Sequence, residues 1–79
     1  MGFRYMSGET IQKGDRILYA RGPGIVAFVA DREVSDPDTA YFVEEFGGGC
    51  MILTEAFGSI FIDDPQDDED LTFVSRAAP

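Results

Sequence analysis

Five apolar stretches, none longer than seven residues, set the limits on what this chain can become: RILYA (16–20), IVAFVAD (25–31), CMILT (50–54), SIFID (59–63) and LTFVS (71–75). Each is rich in β-branched or aromatic residues and is bounded by Gly, Pro, Asp or Ser, the composition of short strands between turns. A membrane-spanning helix needs about 20 consecutive apolar residues, and these runs fall far short. Strands this short cannot stand as a flat open sheet. They bury their apolar sides by curling round one another. The expected fold is mainly β: a small SH3-like five-stranded, partly open barrel, or alternatively a twisted antiparallel sheet, with one short helix inserted.

Local chemistry places the connections. RGPG (21–24) is a turn in which Pro23 fixes φ and Gly22 and Gly24 accept positive φ. IVAFVAD, being continuously apolar, is expected to be buried on both sides. SDPDTAYFVEEFGGG (35–49) predicts a short helix. Asp36 is its N-cap, Pro37 its first residue, Asp38 lies in the first turn and Gly47 is the C-cap. A strand over AYFVEEF is the alternative. EAFG (55–58) closes a hairpin with Gly58 left-handed. The chain is expected to be one domain over residues 1–79, with 1–8 loosely held, ordered structure from about Ile11, and a tail at 77–79.

Charge is the second constraint. The net formal charge is −9, with no histidine. Residues 1–32 carry five basic side chains against three acidic, whereas residues 33–79 carry twelve acidic against Arg76 alone. The densest acidic stretch is DDPQDDED, six acids in positions 63–70. This balance argues against direct contact with nucleic-acid phosphates or anionic membranes, both of which call for a basic footprint. GDRILYARGPGIVAFV has the outline of a ribosomal-type RNA-contacting barrel motif, but the acidity opposes that use. A protein partner with a basic surface fits.

Catalytic chemistry finds little support. Cys50 and Ser59 are nucleophiles by type, but without histidine the usual positioned base is missing. Cys50 reads as a small apolar residue opening a strand. The adjacent acids Glu44 and Glu45, or Asp63 and Asp64, lack the apolar pocket that would raise one carboxyl pKa. Gly47–Gly49 have neither the strand-to-helix context nor the lysine of a phosphate loop. DDPQDDED offers oxygen ligands for calcium, but without EF-hand spacing or its turn glycine. No enzyme activity, cofactor or metal site is expected. One cysteine excludes an intramolecular disulfide and suits a reducing cytoplasm. No cationic-then-apolar leader opens the chain.

The acids themselves are therefore the candidate site: Asp63, Asp64, Asp67, Asp68, Glu69 and Asp70 in the loop, with Glu44 and Glu45 on the helix. If loop and helix share one end of the barrel they form a continuous negative face, flanked by Glu33, Asp36 and Asp38. Exposed charges give modest affinity, so apolar anchors are needed too. Phe42 is the leading anchor, with Phe57. Phe46 is a further candidate but reads better as core.

The elements together resemble a known family. Gly14 and Asp15 before the first strand, Gly24 and Val26 after the turn, the hairpin Gly58 and the closing LTFVSR are similar to small acidic bacterial immunity proteins. Those are encoded beside polymorphic toxins of contact-dependent and type VI secretion systems. The resemblance covers about residues 9–76. It implies a cytoplasmic protein that binds a cognate secreted toxin and neutralises it, by covering its active cleft with an acidic surface. Two other functions are compatible with the charge: an acidic phage-type inhibitor of a host nucleic-acid enzyme, and a small regulatory or calcium-binding domain.

Overall fold

The computed structural model describes residues 3–31, 37 and 39–76. Five antiparallel strands form one open sheet: β1 (Arg16–Tyr19), β2 (Gly22–Ala30), β3 (Gly49–Thr54), β4 (Gly58–Ile62) and β5 (Leu71–Ser75). Their order across the sheet is β4-β3-β2-β1-β5. The first four strands form a meander, and β5 returns to pair with β1 (Ile17 opposite Phe73). The α-helix among the described residues, α1 (Ala40–Phe46), lies in the β2–β3 connection. A single 3-10 turn (Pro65–Asp67) lies in the β4–β5 connection.

The core is one face of this sheet. Ile17, Val26, Cys50, Ile52, Ile62 and Leu71 point into it and are joined by Tyr5 and Ile11 from the segment before β1. The strand over residues 25–31 differs from expectation in two ways. It starts earlier, at Gly22, and it is not buried on both sides: Val26 and Ala30 are buried while Ile25 is 41% exposed. Nothing covers the outer side of Ile25 among the described residues. The register shifts between Val26 and Phe28, so Ala27 forms a bulge there. Gly24 is needed for close approach: a Cβ at this position would lie 2.9 Å from the Leu53 carbonyl oxygen.

The first hairpin turn also differs. Tyr19 pairs with Gly22, leaving a two-residue loop of Ala20 and Arg21, and these two non-glycine residues carry the positive φ values, 50° and 71°. That pair of values marks the turn twist that suits antiparallel strands, usually supplied by Asn-Gly. Gly22 and Gly24 are strand residues instead. The Ala20 N–H donates to the Asp70 carbonyl at 3.0 Å, so the turn also holds the end of the acidic loop.

The helix is shorter than expected. Thr39, not Asp36, is its N-cap, and no acid lies in its first turn. Pro37 precedes the helix in an exposed turn. The expected roles of Asp36 and Asp38, the acids they share with Glu33 before the helix, and the tail at 77–79 lie outside the described residues. Gly47 does end the helix in the left-handed conformation, φ 79°.

The start of the chain is part of the core. Tyr5 is fully buried and its ring lies 5.1 Å from that of Phe73. Arg4 and Thr10 bridge the two sides of a small hairpin. Ordered structure therefore begins well before Ile11. The reason is Asp15, a fully buried carboxylate. Its Oδ2 accepts from the Tyr5 hydroxyl at 2.7 Å and from the Gln12 N–H at 3.0 Å, and its Oδ1 accepts from Arg76 Nε at 3.2 Å. Arg76 also donates to the Thr10 carbonyl and sits 5.4 Å over the Phe73 ring.

A domain of this size is stable by only about 4–12 kcal/mol. Tyr5→Phe removes one donor from Asp15 and is expected to cost about 1 kcal/mol; Asp15→Ala orphans buried donors and is expected to cost about 3 kcal/mol. Urea unfolding of both variants checks this. An Asp15→Ala midpoint equal to that of the parent would refute the assignment.

Candidate functional site

The acidic loop owes its position to topology. β4 and β5 are the two outermost strands, and residues 63–70 must span from one to the other. Pro65 is buried and pins the middle of the loop to the domain. The Asp68 carboxylate accepts from the Asp70 N–H at 2.9 Å, a local turn that delivers the chain into β5. Asp68 is half-buried, and its charge is felt by Cys50, which lies in the core beneath. Buried Pro65 and half-buried Asp68 thus hold the middle of the loop against the core, and its end, Glu69 and Asp70, reaches Leu18 and Thr72.

Its carboxylates divide by role. Asp63, Asp64, Asp67, Glu69 and Asp70 are exposed. Asp68 is half-buried and shapes the turn. Asp64 and Asp67 share a hydrogen bond, which, with the charges of Asp67 and Asp63, raises the Asp64 pKa above the ordinary carboxylate value. Neighbouring carboxylates disfavour one another's charged form. The loop's far end acts on Tyr19: partial burial first, then Asp68 and Asp70, raise its phenol pKa. Tyr19 meets Phe57 edge-on at 6.2 Å, and Phe57 is exposed at the tip of the β3–β4 hairpin. Among the described residues no group of three or more His, Cys, Asp or Glu is arranged to hold a metal ion.

The helical acids lie elsewhere. α1 packs on the outer face of the sheet. Phe42 stacks on Phe61 of β4 at 4.6 Å and meets Phe28 of β2 at 5.3 Å. Phe46 lies 5.1 Å from Phe61. Glu44 and Glu45 are exposed on this helix. The start of the loop lies beside the point where α1 hands over to β3. A Cβ on Gly49 would fall 2.9 Å from the Asp63 Cα. From there the loop runs away to the opposite end of the strands, at Ala20. The single shared end expected from the sequence is therefore replaced by a band: helix, Asp63, then the loop.

The anchors change as well. Phe42 is half-buried within the aromatic cluster, so little of its ring is offered outward. Phe46, expected in the core, is 48% exposed, and Tyr41 is 61% exposed. The reason is that α1 buries none of its residues and only rests on the sheet. Sequence reasoning missed Tyr41 as an outward aromatic. Its spacing to Phe42 and Phe46 marked a helix but not which side of it faced the sheet. Comparison with protein-family models, curated proteins and solved structures returned no match.

Cys50 provides a check on the core. Burial, reinforced by the Asp68 charge, pushes its thiol pKa up to about 12. Thiolate is the reactive form, and both the raised pKa and the full burial of the side chain suppress reaction. Iodoacetamide at pH 8 is expected to leave the folded chain unlabelled and to label it readily in strong urea. Equal labelling rates in the two conditions would contradict the burial of Cys50 in the core.

Proposed function

We propose that this chain is a binding module, an immunity protein of the polymorphic-toxin type, which neutralises a basic toxin by laying its acidic band over the toxin's active cleft. The observation that carries the reading is the segregation of charge. Among the described residues no acid lies on a strand, and the loop that must cross between the edge strands holds six acids. A carboxylate row of this density offers a basic cleft the charge pattern of a phosphate backbone. It speeds encounter and selects the partner's sign.

The finer fold reading belongs with this function. The sheet is read as an SH3-like, partly open barrel. Its strand order, the bulge at Ala27 and the 3-10 turn in the β4–β5 connection support that closure. Curling brings β4 and β5 towards each other, and the acidic loop then lies across the seam with Pro65 inserted. The exposed carboxylates Asp63, Asp64, Asp67, Glu69 and Asp70 make the first approach. Glu44 and Glu45 extend the band, and the outward aromatics Tyr41, Phe46 and Phe57 supply apolar contact. Phe42 holds the helix on the sheet beneath them. A cytoplasmic site of action follows from the same reading.

Co-purification with the product of the adjacent gene tests the partner. Absence of a complex at micromolar concentration would end the reading. In the complex, reversing Asp67, Glu69 and Asp70 to lysine while keeping Asp68 is expected to slow association at least tenfold at low salt. Raising salt from about 0.05 to 0.5 M should slow association of the parent more than it speeds dissociation, because exposed charges are screened. An association rate indifferent to both changes would mean that the loop is only a solvated connection.

A further inference from the structure

The charge segregation has a second consequence, on the outer face of the sheet. Arg16 is the only charged residue on any of the five strands. The outer face of the sheet is therefore almost bare of charge. α1 lays its aromatics over Phe28 and Phe61 and covers one end of that face. Beyond the helix, Ile25 and Leu53 stand directly opposite each other across the β2–β3 ladder, 41% and 46% exposed. Pro23 and Leu18, paired across β1 and β2, continue the apolar strip. A single exposed leucine needs no explanation, whereas a contiguous apolar strip on a small, highly charged protein marks an interaction surface.

We infer that this strip is a self-association surface, occupied by the same strip of a second copy of the chain about a two-fold axis. The charges at its border select that occupant. A groove of about 360 Å³ runs along the strip, and its two charged residues are of opposite sign, Arg16 and Glu55. A two-fold axis through the groove sets Arg16 of each copy opposite Glu55 of the other, so the surface complements itself in charge as well as in apolarity. A uniformly basic or acidic partner would match one of these residues and oppose the other. Apart from Glu55, the acids nearest the strip lie beyond its two ends and not in the groove: Glu69 and Asp70 border Leu18 together with Arg21, and Glu44 and Glu45 are on the helix. The pair formed this way keeps both acidic loops facing solvent, so one assembly presents two of them.

Sedimentation equilibrium from about 10 µM to 1 mM covers the range expected for a small interface. The average mass of the parent chain should rise from 8.7 kDa towards twice that value. R16E and E55R each place like charges across the axis and should remain at the monomer mass, with circular dichroism confirming their fold. An equimolar mixture of the two variants should associate again, because every contact across the axis then pairs opposite charges. Amide shifts on dilution need no variant: those of Ile25 and Leu53 should move and those of residues 63–67 should not. The inference is overturned by a parent that stays at 8.7 kDa throughout. It is equally overturned by self-association that leaves Ile25 and Leu53 unmoved, or by variants that associate as strongly as the parent.

Discussion

The buried Asp15 carboxylate is the interaction on which the rest of this structure depends. A charge taken out of water costs several kcal/mol unless donors surround it. Here the donors come from three places: Tyr5 before the first strand, the Gln12 backbone, and Arg76 after the last strand. Satisfying one carboxylate therefore draws the beginning and the end of the chain onto the same point. A chain of 79 residues buries only about 60% of its unfolded surface, so such closure matters more than it would in a larger domain. Tyr5 shows the result. Burial and the Asp15 hydrogen bond raise its phenol pKa well beyond the ordinary range, and its ring completes a core that the strands alone would leave open.

With the segments before β1 and after β5 held at Tyr5 and Arg76, the strands are free to be chemically plain. They carry a single charge, and the described acids are confined to connections and the helix. The β4–β5 connection has the longest journey, and it makes that journey with one buried proline and one half-buried aspartate as fixed points. Its other carboxylates are left pointing outward. A loop with a structural duty would be expected to minimise repulsion. This one instead crowds Asp64 against Asp67 closely enough to raise a carboxyl pKa. Such crowding of carboxylates fits the reading of the band as a surface for a partner of opposite charge. The outer face, apolar and nearly neutral, is the complementary half of the same division.

Much of the scaffold was legible in the sequence because it is written locally. β-branched runs between glycines gave the five strands, and Gly47 and Gly58 gave the helix end and the hairpin. What was not legible depends on contacts distant in sequence. The Ala-Arg turn was hidden because neither residue favours positive φ; strand register and the Ala20 to Asp70 hydrogen bond impose it. IVAFVAD looked doubly buried because periodicity cannot tell a covered outer face from a bare one. Phe46 looked like core because the spacing of α1 does not say how lightly the helix rests on the sheet. Tyr5 and Arg76 gave no signal, since their meaning arises only when Asp15 lies between them. Within the candidate site, the identity of the acids was plain from the start. Their division into Asp68, which shapes the turn, and the others, which face outward, required the fold.

The central claim is that recognition belongs to the acidic connections and not to the strands. Amide chemical-shift mapping on titration with the product of the adjacent gene tests it most directly. The account predicts perturbations concentrated at Asp63, Asp64, Asp67 and Glu69, extending to Glu44 and Glu45, with Ile25 and Leu53 unaffected by that partner. Perturbations confined to the outer face around Ile25 and Leu53, with residues 63–70 unmoved, would contradict it.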